Sequence, residues 1–503
     1  MSLPLPAGFR ERWFGRQYVG VNKPYMLVRV RKGYLKRRYD AAGDWGADWT
    51  PTTAWKALPN VASCGLEQNL DQNGLTVCTL DISNVFAYDR GTHHTFERGW
   101  FSPFRSYVGA GRPGPMNPDG SPRVANEWDR LLNTAAQIDV WQGLGQDVAV
   151  RTFTGLIDSS TGGSKPDHLR VTSRCFGQLL TDAHLFGWNI DPKMRDRLTF
   201  CPESWLKRLE SGSPEERRQA QLHRKRWVIV NDYAEIVRWS LRNAGFPKNQ
   251  WAVQDTGANL AEPLVFDRSQ THIDVIRKVQ DLTGYTFFVG EPTASFPLGV
   301  PTFRRTKAVV KPLNPVLDLK AAQMLTGCQW ATDDNAKSSI IRVRGKETPT
   351  IRGGLPLGHD RPTILGVYRP PWHRSNPPRD ARILKHVTIT EPLYKTQQQV
   401  DVTARMIALA QAMAGDTATV EIPAYPGLQL DDIINLDDPY AGINSRAWIA
   451  QKTSTFTTGK DASWKMSLGT GLLDTPDVTD VLADLALVLS PNPLSSNGGL
   501  LAP

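Results

Sequence analysis

The densest grouping of potentially reactive side chains is Thr92-His93-His94-Thr95, with Asp89 and Glu97 on either side. Zinc would accept imidazole and carboxylate donors, but neighbouring residues point in different directions on most backbones, and helical zinc sites place their histidines four apart. No spacing elsewhere in the chain supplies the distant ligands, so the segment reads as a polar loop. Two acidic pairs come next, Asp431-Asp432 and Asp437-Asp438, flanking the apolar run Ile433 to Leu436. Paired carboxylates can divide the acid and base work of glycoside hydrolysis. Acids at strand ends more often cap turns and face water, and that is the expectation for both pairs. Cys175 and Cys201 have no histidine in a local motif and are expected to be buried structural thiols. The chain contains no HExxH, no GxSxG elbow and no GxxxxGK[ST] phosphate loop. The sequence therefore assigns no catalytic, cofactor-binding or metal-binding residue, no cofactor, and no enzymatic activity.

Basic residues are the other chemical feature. The net charge is +9 and the pI about 9.2, with one crowd at Arg29, Arg31, Lys32, Lys36, Arg37 and Arg38 and another at Arg217, Arg218, Arg224, Lys225 and Arg226. Single-stranded nucleic acid would need cations interleaved with stacking aromatics, and Arg29 to Tyr39 comes nearest. One such run is more simply a solvated face or a partner contact.

The elements that must position these residues follow from composition and pattern. In 503 residues, 40% hydrophobic and 22% charged, most of the chain can bury a core, and the length suggests about three or four domains. With 41 glycines and 36 prolines, many short strands joined by turns are favoured over long helices. Five cysteines without a CxxC pair indicate reduced, mostly buried thiols. Met1 to Pro6 lacks the basic and apolar regions of a signal peptide, and no apolar run approaches membrane-spanning length. The expectation is a soluble protein made in the cytoplasm.

Residues 1–60 form an aromatic- and arginine-rich arm with one strand candidate, Tyr25 to Val30, whose Trp13, Phe14, Trp45 and Trp49 suit packing on the remainder or on a neighbouring subunit. Residues 61–185 read as a first antiparallel β-barrel, with strands Leu75 to Ile82, Gln137 to Trp141, Val148 to Ile157 and Leu169 to Arg174, then a helix from Phe176 to Leu185. A long insertion, 86–133, carries Trp100, Phe101, Phe104 and Tyr107 among glycines and prolines. Loops of this length are usually functional or disordered, and these four residues are the candidate protein-contact loop, the alternative being a loop folded over its own barrel.

Residues 186–316 read as α+β. Ser213-Pro214-Glu215-Glu216 starts a helix, Asn231 to Ala244 ends at Gly245, and a helix opened by Ser269 or Thr271 ends at Gly284 before the strands Tyr285 to Val289 and Thr302 to Arg305. Residues 317–472 read as a second barrel. It has strands at Ser338 to Arg344 and His386 to Thr390, interrupted by a loop, 346–384. A helix follows through Val400, Ala404, Ala408 and Gln411, stopping at a left-handed Gly415, and strands continue to Leu468. A tail, 473–503, holds one short apolar helix, Val478 to Leu489. The fold class is α+β and mostly β, with two small antiparallel barrels separated by an α+β region.

This order of elements resembles the hub proteins at the distal end of phage tails, which have two barrels separated by α+β domains. The resemblance rests on Val150 to Ser159 (VRTFTGLIDS) leading to Leu169 to Leu180 (LRVTSRCFGQLL), on the αββ unit His272 to Arg305, on Gln329 to Gly345 (QWATDDNAKSSIIRVRG), and on Ala424 to Leu436 (AYPGLQLDDIINL). It implies a homotrimer that adapts a sixfold tail tube to a threefold tip and closes the tube until infection. The implied partners are a distal tail or tail-tube protein, the tape-measure protein, and tip or fibre proteins, with nucleic acid met only as it passes through the lumen. The implied location is the virion's tail tip. A basic nucleic-acid- or partner-binding module and a cell-wall hydrolase are the alternatives.

Overall fold

The computed structural model describes residues 5–489 except 8, 15–23, 40–44, 73, 84–131, 133–135, 163–167, 186–196, 248–249, 261, 268, 311, 349–350, 353–354, 357–360, 363, 375–384 and 460–461. Strand predominates over helix, as an α+β and mostly β fold requires. Its centre, among the described residues, is one sheet of 13 strands. Numbered along the chain within that sheet, they are β1 (Tyr25–Arg31), β2 (Lys56–Ala57), β3 (Val61–Asn69), β4 (Thr76–Ser83), β5 (Gln137–Gly143), β6 (Val150–Gly162) and β7 (His168–Cys175). From the C-terminal part come β8 (Leu317–Lys320), β9 (Cys328–Thr332), β10 (Asp416–Pro423), β11 (Ile433–Asp438), β12 (Ile443–Thr457) and β13 (Ser463–Leu472). The spatial order is β9-β10-β13-β12-β3-β4-β7-β6-β5-β1-β2, with β11 beside β12 and β8 parallel to β11.

Period-2 patterning forms these strands. In β4, Cys78, Leu80 and Ile82 are buried while Thr79, Asp81 and Ser83 are partly exposed. The longest strand, β12, does most to join the sheet. Its first half pairs with β11, from Asp438↔Ile443 to Ile433↔Trp448, and its second half pairs along the same edge with β3, from Gln451↔Asn69 to Thr457↔Ser63. A bulge between Ile449 and Gln451 in the β12–β13 ladder coincides with the change of partner, as bulges do where a strand bends. Strands assigned from sequence to two separate barrels are thus one continuous hydrogen-bonded sheet. At its far end β1 runs antiparallel to β5 from Tyr25↔Gly143 to Arg31↔Gln137.

Several local expectations need correction. Ile340–Arg344 and His386–Thr390 do not join the large sheet; they pair with each other, and Ile340–Arg344 pairs on its other side with Leu365–Tyr368, inside the interval read as a loop. That small sheet is held by the helix Gln397–Gly415, which shares a second core with Ile341, Val343, Tyr368 and the C-terminal helix Pro476–Leu489. Gly415 does not end its helix in the left-handed conformation. The cap is extended Asp416, and a Cβ on Gly415 would lie 2.5 Å from Lys337 Cε, so glycine is there for a close approach. The helix expected over Phe176 to Leu185 is confined to Gln178–Asp182. Trp13 is buried against this chain's own Tyr425, with ring centroids 5.1 Å apart, and its Nε1 donates to the Pro423 carbonyl at 3.1 Å.

The capping chemistry of the α+β region is as its residues indicate. Ser213 and Glu216 form a capping box on Pro214–Arg226, Asp232 caps Tyr233–Ala244, and Gly245 and Gly284 end helices at φ 111° and 69°. Helix His272–Thr283 leads into the hairpin Tyr285–Gly290 and Val300–Arg305, with Phe287, Phe288 and Phe303 buried.

His272, on the first turn of that helix, is 2% exposed, and burial pushes its pKa from 6.5 down to about 4. Because the unfolded chain binds the proton first, stability is full above pH 6.5 and falls as the pH drops from there toward 4. Urea unfolding at pH 7 and pH 5 should show the wild type losing about 2 kcal/mol more than His272→Leu. Equal losses in the two chains would contradict this.

Candidate functional site

The residues singled out from sequence do not converge. Thr92 to Glu97, with His93 and His94, and the contact loop Trp100, Phe101, Phe104 and Tyr107 lie outside the described residues. Among the described residues no group of three or more His, Cys, Asp or Glu could hold a metal ion, and no helix is long and apolar enough to cross a membrane. Cys64, Cys78, Cys175 and Cys201 are buried thiols and Cys328 is half-buried. Burial raises the thiols of Cys175, Cys201 and Cys328 to about 11, leaving none poised as a nucleophile at neutral pH.

The acidic pairs correct the expectation of water-facing caps. Asp431 and Asp432 are 0% and 1% exposed. Asp431 takes φ 66°, a left-handed conformation that aspartate tolerates better than most residues. Its Oδ1 accepts from Thr306 Oγ1 at 2.6 Å, Trp448 Nε1 at 2.9 Å and Lys307 N at 3.0 Å, and its Oδ2 accepts from Arg304 Nε at 2.9 Å. Asp432 accepts from Lys307 Nζ at 2.5 Å and from Gln429 N at 2.9 Å. Asp438 accepts from the backbone N–H groups of Cys328, Tyr440 and Ala441, and those bonds, that of Cys328 foremost, hold its pKa low. Of the second pair, Asp437 alone stays part-exposed, on an open groove of about 410 Å³ shared with Asp318, Lys320, Arg446 and Asp474.

These contacts form a joint. Arg304 lies on the second strand of the αββ hairpin and Thr306 and Lys307 directly follow it, while Asp431 and Asp432 sit in the turn before β11. A second buried ion pair, Glu291 with Lys452, ties the hairpin turn to β12, and Lys452 Nζ also donates to the Leu428 carbonyl at 2.9 Å. Burial drives the Glu291 carboxyl up, and Lys452 opposes that. The other half of the sheet holds the same hairpin. Gln68 Nε2 donates to the carbonyls of Val289 at 2.7 Å and Gly74 at 2.9 Å. Gly74, at φ 59°, touches Phe288 so closely that a Cβ would lie 2.2 Å from that residue's Cβ. The small cavity at this junction, lined by Gln68, Gln142, Glu291 and Lys452 among others, is about 20 Å³, room for a water molecule and no substrate.

The first residues of the basic run are likewise engaged. Arg29 and Arg151 flank buried Asp139 at 3.3 and 3.4 Å, and Thr154 Oγ1 donates to it at 2.7 Å. Arg29 lies over Trp55 and Trp141, and Arg31 over Trp55. In the second basic crowd Arg224 is paired with Glu203 and Glu210, while His223, Trp227 and Trp205 stack on one another. Arg29, Arg31 and Arg224, with Trp55, Trp141 and Trp205, thus hold the chain's own strands and helices together. What sequence reasoning missed is an exposed sheet edge: β9 leaves Trp330 61% exposed, next to a turn whose Tyr440 is 96% exposed. Its only sequence-level mark is an aromatic in an otherwise polar stretch.

No family model and no curated protein matches the sequence. Solved structures do. The 43 kDa tail protein of prophage MuSo2 from Shewanella oneidensis aligns at TM-score 0.51 and 10% identity, over 89% of this chain and 98% of that one. The tail protein from Neisseria meningitidis MC58 aligns at TM-score 0.46 and 11% identity, over 91% and 99% of the two chains. Prophage tail protein gp18 from Listeria monocytogenes EGD-e aligns at 0.43 and 9%, over 92% and 100%.

Removing Asp431 should expose the joint's dependence on it. Asp431→Ala leaves Arg304 half of a broken buried pair and should cost about 3–5 kcal/mol in urea unfolding. Asp431→Asn keeps acceptors for Thr306 and Trp448 and the left-handed backbone, and should cost about 1–2 kcal/mol. A cost below about 1 kcal/mol for the alanine variant would show that the joint carries little. At the level of fold, then, this chain shares the architecture of the MuSo2 tail protein over 89% of its length.

Proposed function

We propose that this chain is a structural component of a phage virion, the hub subunit at the distal end of the tail. The observation that carries the proposal is the fold shared with a prophage tail protein across 89% of the chain. The engaged state of its charged residues supports a non-enzymatic role: Asp431 and Asp432 hold a domain joint, and Asp438 accepts from three backbone N–H groups. The strands of 61–185 and of 317–472 act as two barrel-like lobes meeting at the β12–β3 pairing, with 186–316 as the α+β region between them and 1–60 and 473–503 as flanking segments.

Three copies then present six similar lobes to a sixfold tube and a threefold face to the tip, and they close the tube until infection. The partners are further copies of the chain, a distal tail or tail-tube protein, the tape-measure protein, and tip or fibre proteins, which the loop bearing Trp100, Phe101, Phe104 and Tyr107 helps to contact. DNA meets the chain only in transit. Native mass measurement tests the reading: a trimer is expected, or a monomer that trimerises when tail partners are added. A stable dimer that hydrolyses peptidoglycan would overturn it.

A further inference from the structure

Three side chains lining the cavity of about 20 Å³ come from three different parts of the chain: Gln142 from β5, Glu291 from the turn after the first strand of the αββ hairpin, and Lys452 from β12. All three are shielded from solvent, Gln142 at 0% exposure and the side chains of Glu291 and Lys452 at 9% and 8%. The hairpin turn is gripped from both flanks, because Arg151 Nη2 on β6 donates to the Thr293 carbonyl at 3.1 Å while Lys452 pairs with Glu291. The cavity is therefore where the N-terminal strands, the α+β region and the C-terminal strands meet.

Each of the three has hydrogen-bonding capacity left over. Gln142 Oε1 accepts from Thr152 Oγ1 at 2.9 Å, but its buried Nε2 has no partner among the described residues. Glu291 offers Oε1 to Lys452, and its buried Oε2 has no such partner either. Lys452 Nζ donates to Glu291 and to the Leu428 carbonyl at 2.9 Å, which uses two of an ammonium's three N–H bonds. Buried polar atoms are almost always satisfied, and leaving them bare costs their full desolvation. One water molecule serves all three groups, accepting from Gln142 and Lys452 and donating to Glu291. It serves them equally if the amide is turned over, since Nε2 then meets Thr152 and water donates to Oε1 instead. A cation in the same place would be repelled by Lys452, and an anion by Glu291. The volume agrees, because about 10–15 Å³ holds a water with two to four polar partners.

We propose that this cavity is a binding site for one ordered water molecule, which bridges Gln142, Glu291 and Lys452 and so completes the junction of β5, the αββ hairpin and β12. The water gives these elements a shared hydrogen-bonded point that their side chains do not make directly. Burial raises the Glu291 carboxyl, and an O–H donated to Oε2 favours the charged form that Lys452 pairs with. The site does not rest on the hub reading and stands whatever the chain assembles with.

A high-resolution crystal structure of the full chain tests the site. A single density peak is expected at about 2.7–3.2 Å from the Gln142 amide, Glu291 Oε2 and Lys452 Nζ. A cavity without density, a peak that misses any of the three groups, or one ringed by oxygens at metal distances of about 2.0–2.6 Å would overturn the proposal. A double-mutant cycle in urea unfolding with Gln142→Met and Glu291→Gln gives a second readout. Because either change breaks the same bridge, the double variant's unfolding constant should rise by about tenfold less than the product of the two single effects. Strictly multiplicative effects would overturn the bridge. If either variant fails to fold, the wild-type density alone decides.

Discussion

The fold depends on β12 having more partners than one edge normally serves. Its first half pairs with β11 and its second half with β3, while β13 runs along the other side. This brings the N-terminal strands β3 to β7 and the C-terminal strands β10 to β13 into one hydrogen-bonded surface. Closing so long a loop costs conformational entropy, though that cost rises only slowly with length. The pairing is offset by burial on both sides of it: Cys64, Leu66 and Phe456 lie in the large core, beside Trp464 and Met466. A sheet assembled from both parts of the chain couples those parts through its ladder.

The αββ unit sits on that seam, and buried charge fixes where. Glu291 with Lys452 is out of water, and Asp431 with a part-buried Arg304 nearly so, so each pair gives up solvation that its attraction repays only in good geometry. Their contribution is better understood as specifying one arrangement of hairpin and sheet than as adding stability. Asp431 makes the point most clearly. Four donors converge on a side chain whose backbone is held left-handed. The same site could be mistaken for chemistry, and its saturation with donors is the reason to read it as structure.

Helix boundaries were the most legible feature, because they are written locally. Ser213 with Glu216, Gly245 and Gly284 mark ends through interactions a few residues long. Alternating strands such as Thr76–Ser83 were equally plain. Burial of acids was not legible: the partners of Asp431 that decide its environment, Arg304 and Thr306, come from a distant part of the chain. For the same reason the strands of two expected barrels could be seen without seeing that β12 and β3 pair. Val61–Asn69 escaped notice because Gly65 and its polar residues interrupt the pattern, and Cys328–Thr332 because an exposed edge strand has no buried face to reveal it. Gly415 misled in the other direction, since a glycine needed for Lys337 to pass closely looks like a helix stop.

A scaffold claim is tested most directly where the scaffold is assembled. A density map of intact tails, resolved at the distal end, should contain three copies of this chain around the axis, the large sheet of each lining the lumen and the joint at Asp431 intact. A tail end with one or six copies, or with no density for this chain, would contradict the account.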